Sequence, residues 1–144
     1  MITDVTIEQL IHATDTAAQQ IAVLLPQLTE NQDGIDAERL SRVLATPGAL
    51  YVARKDGVIL GMVHRIDVHH VVRTKSWIED FVVDVSVRSQ GIATKLLAAA
   101  IAGAPVEASS INLTSKSTRS ESHHIYAKLG FEQRSNTTLW RRLI

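Results

Sequence analysis

The sequence predicts a mixed α/β layer fold in a single domain, on three observations. The apolar period is 3.6 residues before about residue 48 and close to 2 after it. Asp56-Gly57 stands between two alternating runs, and a strand pattern ending near Val85 passes through Gly91 into a helical one. With 144 residues, 45% of them hydrophobic, the chain has the length and composition for one core.

Taken in order, Val5-Thr6-Ile7 alternates as a short strand. Asp15 then opens a helix in which Ile21, Leu24, Leu25 and Leu28 fall on one face, with Pro26 expected to kink it or end it early. Asp36 reads as the N-cap of a second helix that buries Ala37, Leu40, Val43 and Leu44 and stops at Thr46-Pro47-Gly48. Leu50 to Ala53 and Val58 to Val68 form a hairpin, because both central positions of a two-residue turn need positive φ, which Asp tolerates and Gly adopts freely. A third strand, about Ser76 to Val85, places Trp77, Glu79, Phe81, Val83 and Val85 on one face, and alternation turns Asp80 to the other. Gly91 begins a helix with Ile92, Leu96 and Ala99 on one side, and Ser110 to Thr114 is a strand. Thr118 and Glu121 form a capping box for a helix that Gly130 ends. Phe131 to Arg134 and Thr137 to Leu143 complete a last hairpin, with Trp77 and Trp140 packed in the core or across strands. The expected order is β-α-α-β-β-β-α-β-α-β-β: a mixed, mostly antiparallel sheet of about seven strands with four helices.

Composition removes several function classes. Fifteen basic and fifteen acidic residues cancel, which argues against general nucleic-acid binding. With no cysteine, disulfide frameworks, thiolate metal sites and cysteine nucleophiles are excluded. The longest uncharged run, Thr16 to Thr29, is 14 residues and too polar to span a bilayer, and Met1-Ile2-Thr3-Asp4 does not begin a secretory signal. No membrane association and a cytoplasmic location are therefore expected. His69-His70 and His123-His124 are adjacent pairs whose members point apart, so no metal is expected, and His64, His69 or His123 could lie near a substrate. There is no Gly-x-Ser-x-Gly elbow. Charge is unevenly spread: residues 1–40 hold seven acids against one base, leaving them at −6 and the remainder at +6. Such halves would draw a cation to the first and an anion to the second, unless they are solvated helix faces.

The most informative segment is Val83-Asp84-Val85-Ser86-Val87-Arg88-Ser89-Gln90-Gly91-Ile92-Ala93-Thr94. A strand that enters a helix through a glycine-containing loop presents unpaired first-turn amides at the positive end of the helix dipole, and Gly91 lets a ligand approach the backbone. Phosphate is the natural guest; an ordinary strand-to-helix turn is the plain alternative. Glu79, in Ile78-Glu79-Asp80-Phe81, is a carboxylate that a cleft could turn into a base, or one that pairs with Arg65 or Arg73. Tyr126 is a hydroxyl donor or an amphipathic core residue.

Arg88-Ser89-Gln90-Gly91-Ile92-Ala93 resembles the pyrophosphate motif of the GNAT superfamily of acyl-CoA-dependent N-acyltransferases: Arg or Gln, two residues, Gly, one residue, then Gly or Ala. The run Ser122-His123-His124-Ile125-Tyr126-Ala127-Lys128-Leu129-Gly130-Phe131 resembles that family's closing helix, and both lie in family order over nearly the whole chain. Residues 1–48 match only in pattern.

The resemblance implies one N-acetyltransferase domain over 1–144, with a substrate-facing helical part at 1–48 and the sheet and acetyl-CoA-binding part at 49–144. It implies a splayed strand whose backbone at Phe81, Val82, Val83 and Val85 binds the pantetheine arm and thioester. The pyrophosphate would lie over the amides of Ser89, Gln90, Gly91, Ile92, Ala93 and Thr94, with Arg88 and Lys95 adding charge. Tyr126 would face the leaving sulfur, Glu79 would serve as base, as the similar Ile-Glu-Asp step of amino-sugar acetyltransferases suggests, and the amide near Val83 would stabilise the oxyanion. Arg119 stands where many members carry an Asn that contacts pantetheine, and could instead reach a CoA phosphate. The implied reaction is direct acetyl transfer from acetyl-CoA to a primary amine of a small molecule or peptide. A non-catalytic CoA-binding sensor of the same fold is the alternative. A homodimer through Thr137 to Ile144 is a further expectation.

Overall fold

The computed structural model describes residues 4–116 and 120–144. The chain divides into two units, one ending at Thr114 and the other beginning at Ser115.

The first unit opens with strand β1 (Thr6–Gln9) and helix α1 (Asp15–Leu28). The Thr14 hydroxyl accepts from the amide of Ala17 at 3.1 Å, satisfying one of the orphan donors of the first turn. Pro26 cannot donate along the helix, yet α1 runs two residues past it, because the proline falls where the helix is already ending. Helix α2 (Ala37–Ala45) is capped as expected by Asp36, whose carboxylate accepts from the amide of Arg39 at 2.8 Å.

Strands β2 (Gly48–Lys55) and β3 (Val58–His69) form the expected hairpin. At its turn Asp56 and Gly57 have φ of 50° and 77°, the primed geometry that matches strand twist. Strand β4 (Thr74–Val83) follows β3 in antiparallel pairing, and β5 (Ala108–Leu113) joins β4 in parallel. Helix α3 (Ile92–Ala102) makes the crossover between them. The described strands form one sheet in the order β1-β2-β3-β4-β5.

Helices α1 and α2 cover one face. Ile21, Leu24 and Leu40 are almost wholly buried there against Leu50, Val52, Ile59, Met62 and Val82. Helix α3 packs on β2 and β3 through Leu96, Leu97 and Ala100, and Gly61 lets Leu96 approach the sheet closely. Gly48 is required twice over: its φ is 132°, and a Cβ there would overlap the carbonyl oxygen of Arg65 on β3. Gly48→Ala is therefore expected to destabilise the fold by about 2–5 kcal/mol, the sum of a left-handed L residue and a backbone overlap. A urea midpoint equal to the parent's would contradict this reading of the β2–β3 contact.

In the second unit, helix α4 (Ser120–Lys128) ends in a Schellman motif. Phe131 donates its amide to the Tyr126 carbonyl at 3.0 Å and Gly130 to that of Ala127 at 3.1 Å, with Gly130 at φ 91°. The capping box at Thr118 and Glu121 and the position of Arg119 lie outside what is described.

Three expectations are corrected. The sheet has five strands among the described residues rather than about seven, because residues 131–144 form no strand. Leu139-Trp140 and Arg141-Arg142 are adjacent like pairs, so neither face of that segment gains an apolar row. Trp140 is accordingly exposed, not packed. The third correction is at Asp80 in β4, described with the site. No described helix is long and apolar enough to cross a membrane.

Candidate active site

Strand β4 does not run straight. His64 pairs with Glu79, but Met62 pairs with Val82, so Asp80 and Phe81 together oppose the single residue Val63. This is a β-bulge, and Asp80 holds its left-handed position, with φ 49°. Aspartate is among the few L residues that tolerate it. The bulge resets the alternation: Glu79 and Val82 share the face of α1 and α2, whereas Val83 lies against Leu96 on the other. The expected single row from Trp77 through Val85 is thus broken, and the simple alternation that would set Asp80 opposite Glu79 does not hold through the bulge.

Beyond the bulge β4 loses one neighbour. Its last pair with β5 is Ile78–Leu113, and it continues to Val83 paired with β3 alone. Asp84 donates its amide to the Leu60 carbonyl at 2.8 Å, which makes Gly61–Val83 the pair without mutual hydrogen bonds. The amide and carbonyl of Val83 therefore point away from β3, toward the side β5 has left. Arg88 donates its Nε–H to that carbonyl at 3.1 Å.

A 3-10 turn (Val85–Val87) leads on to α3, with the Asp84 carboxylate accepting from the amide and hydroxyl of Ser86. Gln27 of α1 braces this turn, donating to Asp84 at 3.1 Å and accepting the amide of Val85 at 2.8 Å. Ser89 and Gly91 both have positive φ, at 63° and 83°. Gly91 is the N-cap of α3 and no side chain caps the helix, so the amides of Ile92, Ala93 and Thr94 lack the usual protein acceptor. A Cβ on Gly91 would meet open space. Glycine is required there by the backbone angle, and the space before it is free for a ligand. Gln90 is engaged by another group, and Val85 is exposed.

Glu79 is exposed near the end of β4 and forms no ion pair with a described residue, and Arg65 is held by Asp67 at 3.0 Å. Partial desolvation, then the charge of Asp80, raises its carboxyl above the ordinary range. Next to it in the sheet, His64 is 4% exposed, and burial pushes its ring below the usual histidine range against the pull of Asp80. The sequence reading named His64 without a role; its pairing with Glu79 depends on a register that the sequence does not print.

Tyr126 lies in the second unit, half-buried on α4, its ring edge-on to Phe131 at 6.2 Å and tilted to His123 at 6.3 Å. The first unit thus gathers Phe81, Val82, Val83, Arg88, Ser89, Gly91, Ile92, Ala93, Thr94 and Glu79 along the end of β4 and the start of α3.

The family model described as "Acetyltransferase (GNAT) domain" matches residues 46–133. Among solved structures, a putative acetyltransferase from Agrobacterium tumefaciens superposes with a TM-score of 0.81 at 18% identity, covering 95% of this chain and 99% of that one. The aminoglycoside N-acetyltransferase AAC(6')-Iy, solved with a CoA bisubstrate analogue, gives 0.77 at 22% identity over 99% and 100%. Glucosamine-6-phosphate N-acetyltransferase from Arabidopsis thaliana gives 0.77 at 19% identity over 95% and 97%. No curated protein sequence matches the chain. With more than half its length matched by the family model, on a fold shared along the whole chain, this protein belongs to the GNAT family of acetyltransferases.

Proposed function

We propose that the chain transfers an acetyl group from acetyl-CoA to the primary amine of a small cationic molecule, by direct attack while both are bound. The observation that carries this is the junction of a strand end with no described strand paired beyond Ile78 on its outer side and a helix start with no side-chain cap. The amides of Ser89 to Thr94 are suited to a diphosphate, where anions gain from backbone N–H groups and the helix dipole together. Lys95 and Arg88 add positive charge, although Arg88 already bonds Val83. Bound there, acetyl-CoA supplies an acyl group activated as a thioester.

The chain's own residues would do three things. Glu79 accepts a proton from the acceptor ammonium, freeing the lone pair that attacks. The outward amide of Val83 donates to the carbonyl oxygen as negative charge develops on it. Tyr126 donates its hydroxyl proton to the departing sulfur. The −6 charge of residues 1–40 favours a cationic acceptor, and the aminoglycoside acetyltransferases among the structural neighbours act on molecules of that kind.

The test is thiol release from acetyl-CoA across aminoglycosides, amino sugars, polyamines, amino acids and peptides. Glu79→Gln and Tyr126→Phe are each expected to lower kcat by about 10²-fold or more with the best acceptor. Because Glu79 must be ionised to act and its pKa is raised, the rate should fall as pH drops through a value above the ordinary carboxylate range. Unchanged turnover in both variants would reject this assignment.

A further inference from the structure

Two glutamines of α1, seven residues apart and so on one side of the helix, each clamp a turn of the chain with a pair of hydrogen bonds. Gln20 donates to the Gly57 carbonyl at 3.0 Å and accepts the amide of Ile59 at 3.1 Å, holding the turn between β2 and β3. Gln27 donates to the Asp84 carboxylate at 3.1 Å and accepts the amide of Val85 at 2.8 Å, holding the turn between β4 and α3.

The two turns differ in what else holds them. The turn at Asp56-Gly57 is closed by the ladder itself, where Lys55 pairs with Val58. The turn beyond β4 has no ladder, and of residues 84–91 only Val87 is buried. Ser89 keeps a φ of 63°, which an L residue leaves unless its surroundings fix it. Polar bonds do the fixing, and they converge on Asp84. One of its carboxylate oxygens accepts the amide of Ser86 at 2.9 Å and the Ser86 hydroxyl at 2.6 Å, and the other accepts Gln27. Its own amide donates to Leu60. Asp84 is therefore held from β3 and from α1 at once, at the entrance to the segment that ends in Gly91 and the uncapped amides of α3.

The residue type at position 27 fits this task closely. A carboxylate only accepts and a backbone N–H only donates, so a side chain that bridges Asp84 and Val85 needs a donor and an acceptor side by side, as a terminal amide has. The two partners also settle which way that amide points, because the reverse would set donor against donor and oxygen against carboxylate. Asparagine is one methylene shorter, glutamate would place two carboxylates face to face, and lysine or arginine could only donate.

We propose that Gln27 is a positioning residue for the cosubstrate: by clamping Asp84 and Val85 to α1 it holds the turn so that the amides of Ser89 to Thr94 converge on one diphosphate. The inference rests on the reading of that segment as the acetyl-CoA site. Gln27 itself touches no reacting atom. Amides already aligned do not have to be ordered by the ligand, so the clamp acts on affinity for acetyl-CoA and not on the chemical step once the site is filled.

The test compares full-chain variants by calorimetric titration with acetyl-CoA, by steady-state kinetics and by melting, with Gln20→Ala as the control that loses an equal pair of bonds away from the segment. Gln27→Ala should bind acetyl-CoA about 5- to 20-fold more weakly, the range expected for amides misaligned by the loss of two hydrogen bonds. Its KM for acetyl-CoA should rise in step, with kcat within about twofold of the parent's. Gln20→Ala should keep the parent's affinity. Gln27→Glu should lose at least as much as Gln27→Ala, because like charges then oppose each other. Gln27→Glu combined with Asp84→Asn restores every bond with the charge moved across: the carboxylate at 27 accepts from Val85 and from the amide at 84, whose oxygen stays with Ser86. That double variant should return to within about threefold of the parent, the non-additivity expected of residues in direct contact.

Parent-like affinity in folded Gln27→Ala, an equal loss in Gln20→Ala, or a double variant no better than Gln27→Glu would each overturn the positioning role while leaving the acetyl-CoA site standing. A parent that binds no acetyl-CoA would overturn both.

Discussion

Asp67→Ala is expected to lose about 3–5 kcal/mol of unfolding free energy, the usual consequence of stranding one member of a buried ion pair. Asp67 accepts from Arg65 Nε at 3.0 Å, from Arg65 Nη2 at 3.3 Å and from the Ser76 hydroxyl at 2.7 Å. Arg65, Asp67 and Ser76 are all buried, and Arg65 also donates to the Ala100 carbonyl at 3.1 Å, joining β3 to the last turn of α3. Without Asp67 the guanidinium keeps its charge, since arginine does not deprotonate, and has no counter-ion. Arg65→Met combined with Asp67→Leu should recover most of the loss, because two apolar side chains of similar volume leave no orphan charge.

The same pair sets a pH dependence. Burial pushes the Asp67 carboxyl up, but the hydrogen bonds from Arg65 and Ser76 and the charge of Arg65 outweigh it, so its pKa lies below the usual range. A depressed carboxyl contributes stability that is complete above the unfolded value of about 3.9 and is lost as pH falls through the folded one. Urea midpoints of parent and Asp67→Ala should therefore converge on acidification below about pH 4. A constant difference down to the acid transition would contradict the ion-pair account.

The second large effect is on ligand binding. Gly91→Val is expected to weaken acetyl-CoA by about 10- to 100-fold while a cooperative melting transition remains. Valine resists a φ of 83°, and its side chain would project into the open space before the first-turn amides of α3. Each charge-assisted hydrogen bond lost from a phosphate accounts for about 1.5–3 kcal/mol, so displacement of one or two is enough. Calorimetric titration of the variant checks this, and parent-like affinity would show that Gly91 serves only the turn.

Local chemistry was readable wherever a few neighbouring residues decide the outcome. Asp36 at an N-cap, Asp56-Gly57 in a primed turn, Gly91 before α3 and Gly130 after α4 each act through their own backbone angles and nearest amides. Register was not readable. The bulge at Asp80 comes from how β4 meets β3, and nothing in Ile78-Glu79-Asp80-Phe81 distinguishes it from a regular strand except that aspartate tolerates a left-handed angle. One inserted position turned Val83 to the opposite face and hid the pairing of Glu79 with His64. Arg65 and Asp67 carried a signal that could have been used: opposite charges two apart on a strand share a face and can pair. Residues 131–144 show the opposite case: their β-prone composition predicts a hairpin, but no apolar row exists to dock one.

What binds at the start of α3 can be decided by titrating the parent protein calorimetrically with acetyl-CoA and with S-acetylpantetheine, which carries the same thioester but no diphosphate. If uncapped amides beside Gly91 grip phosphate oxygens, acetyl-CoA should bind and S-acetylpantetheine should be weaker by at least about 100-fold. Equal affinity for the two, or no heat with acetyl-CoA, would contradict the account.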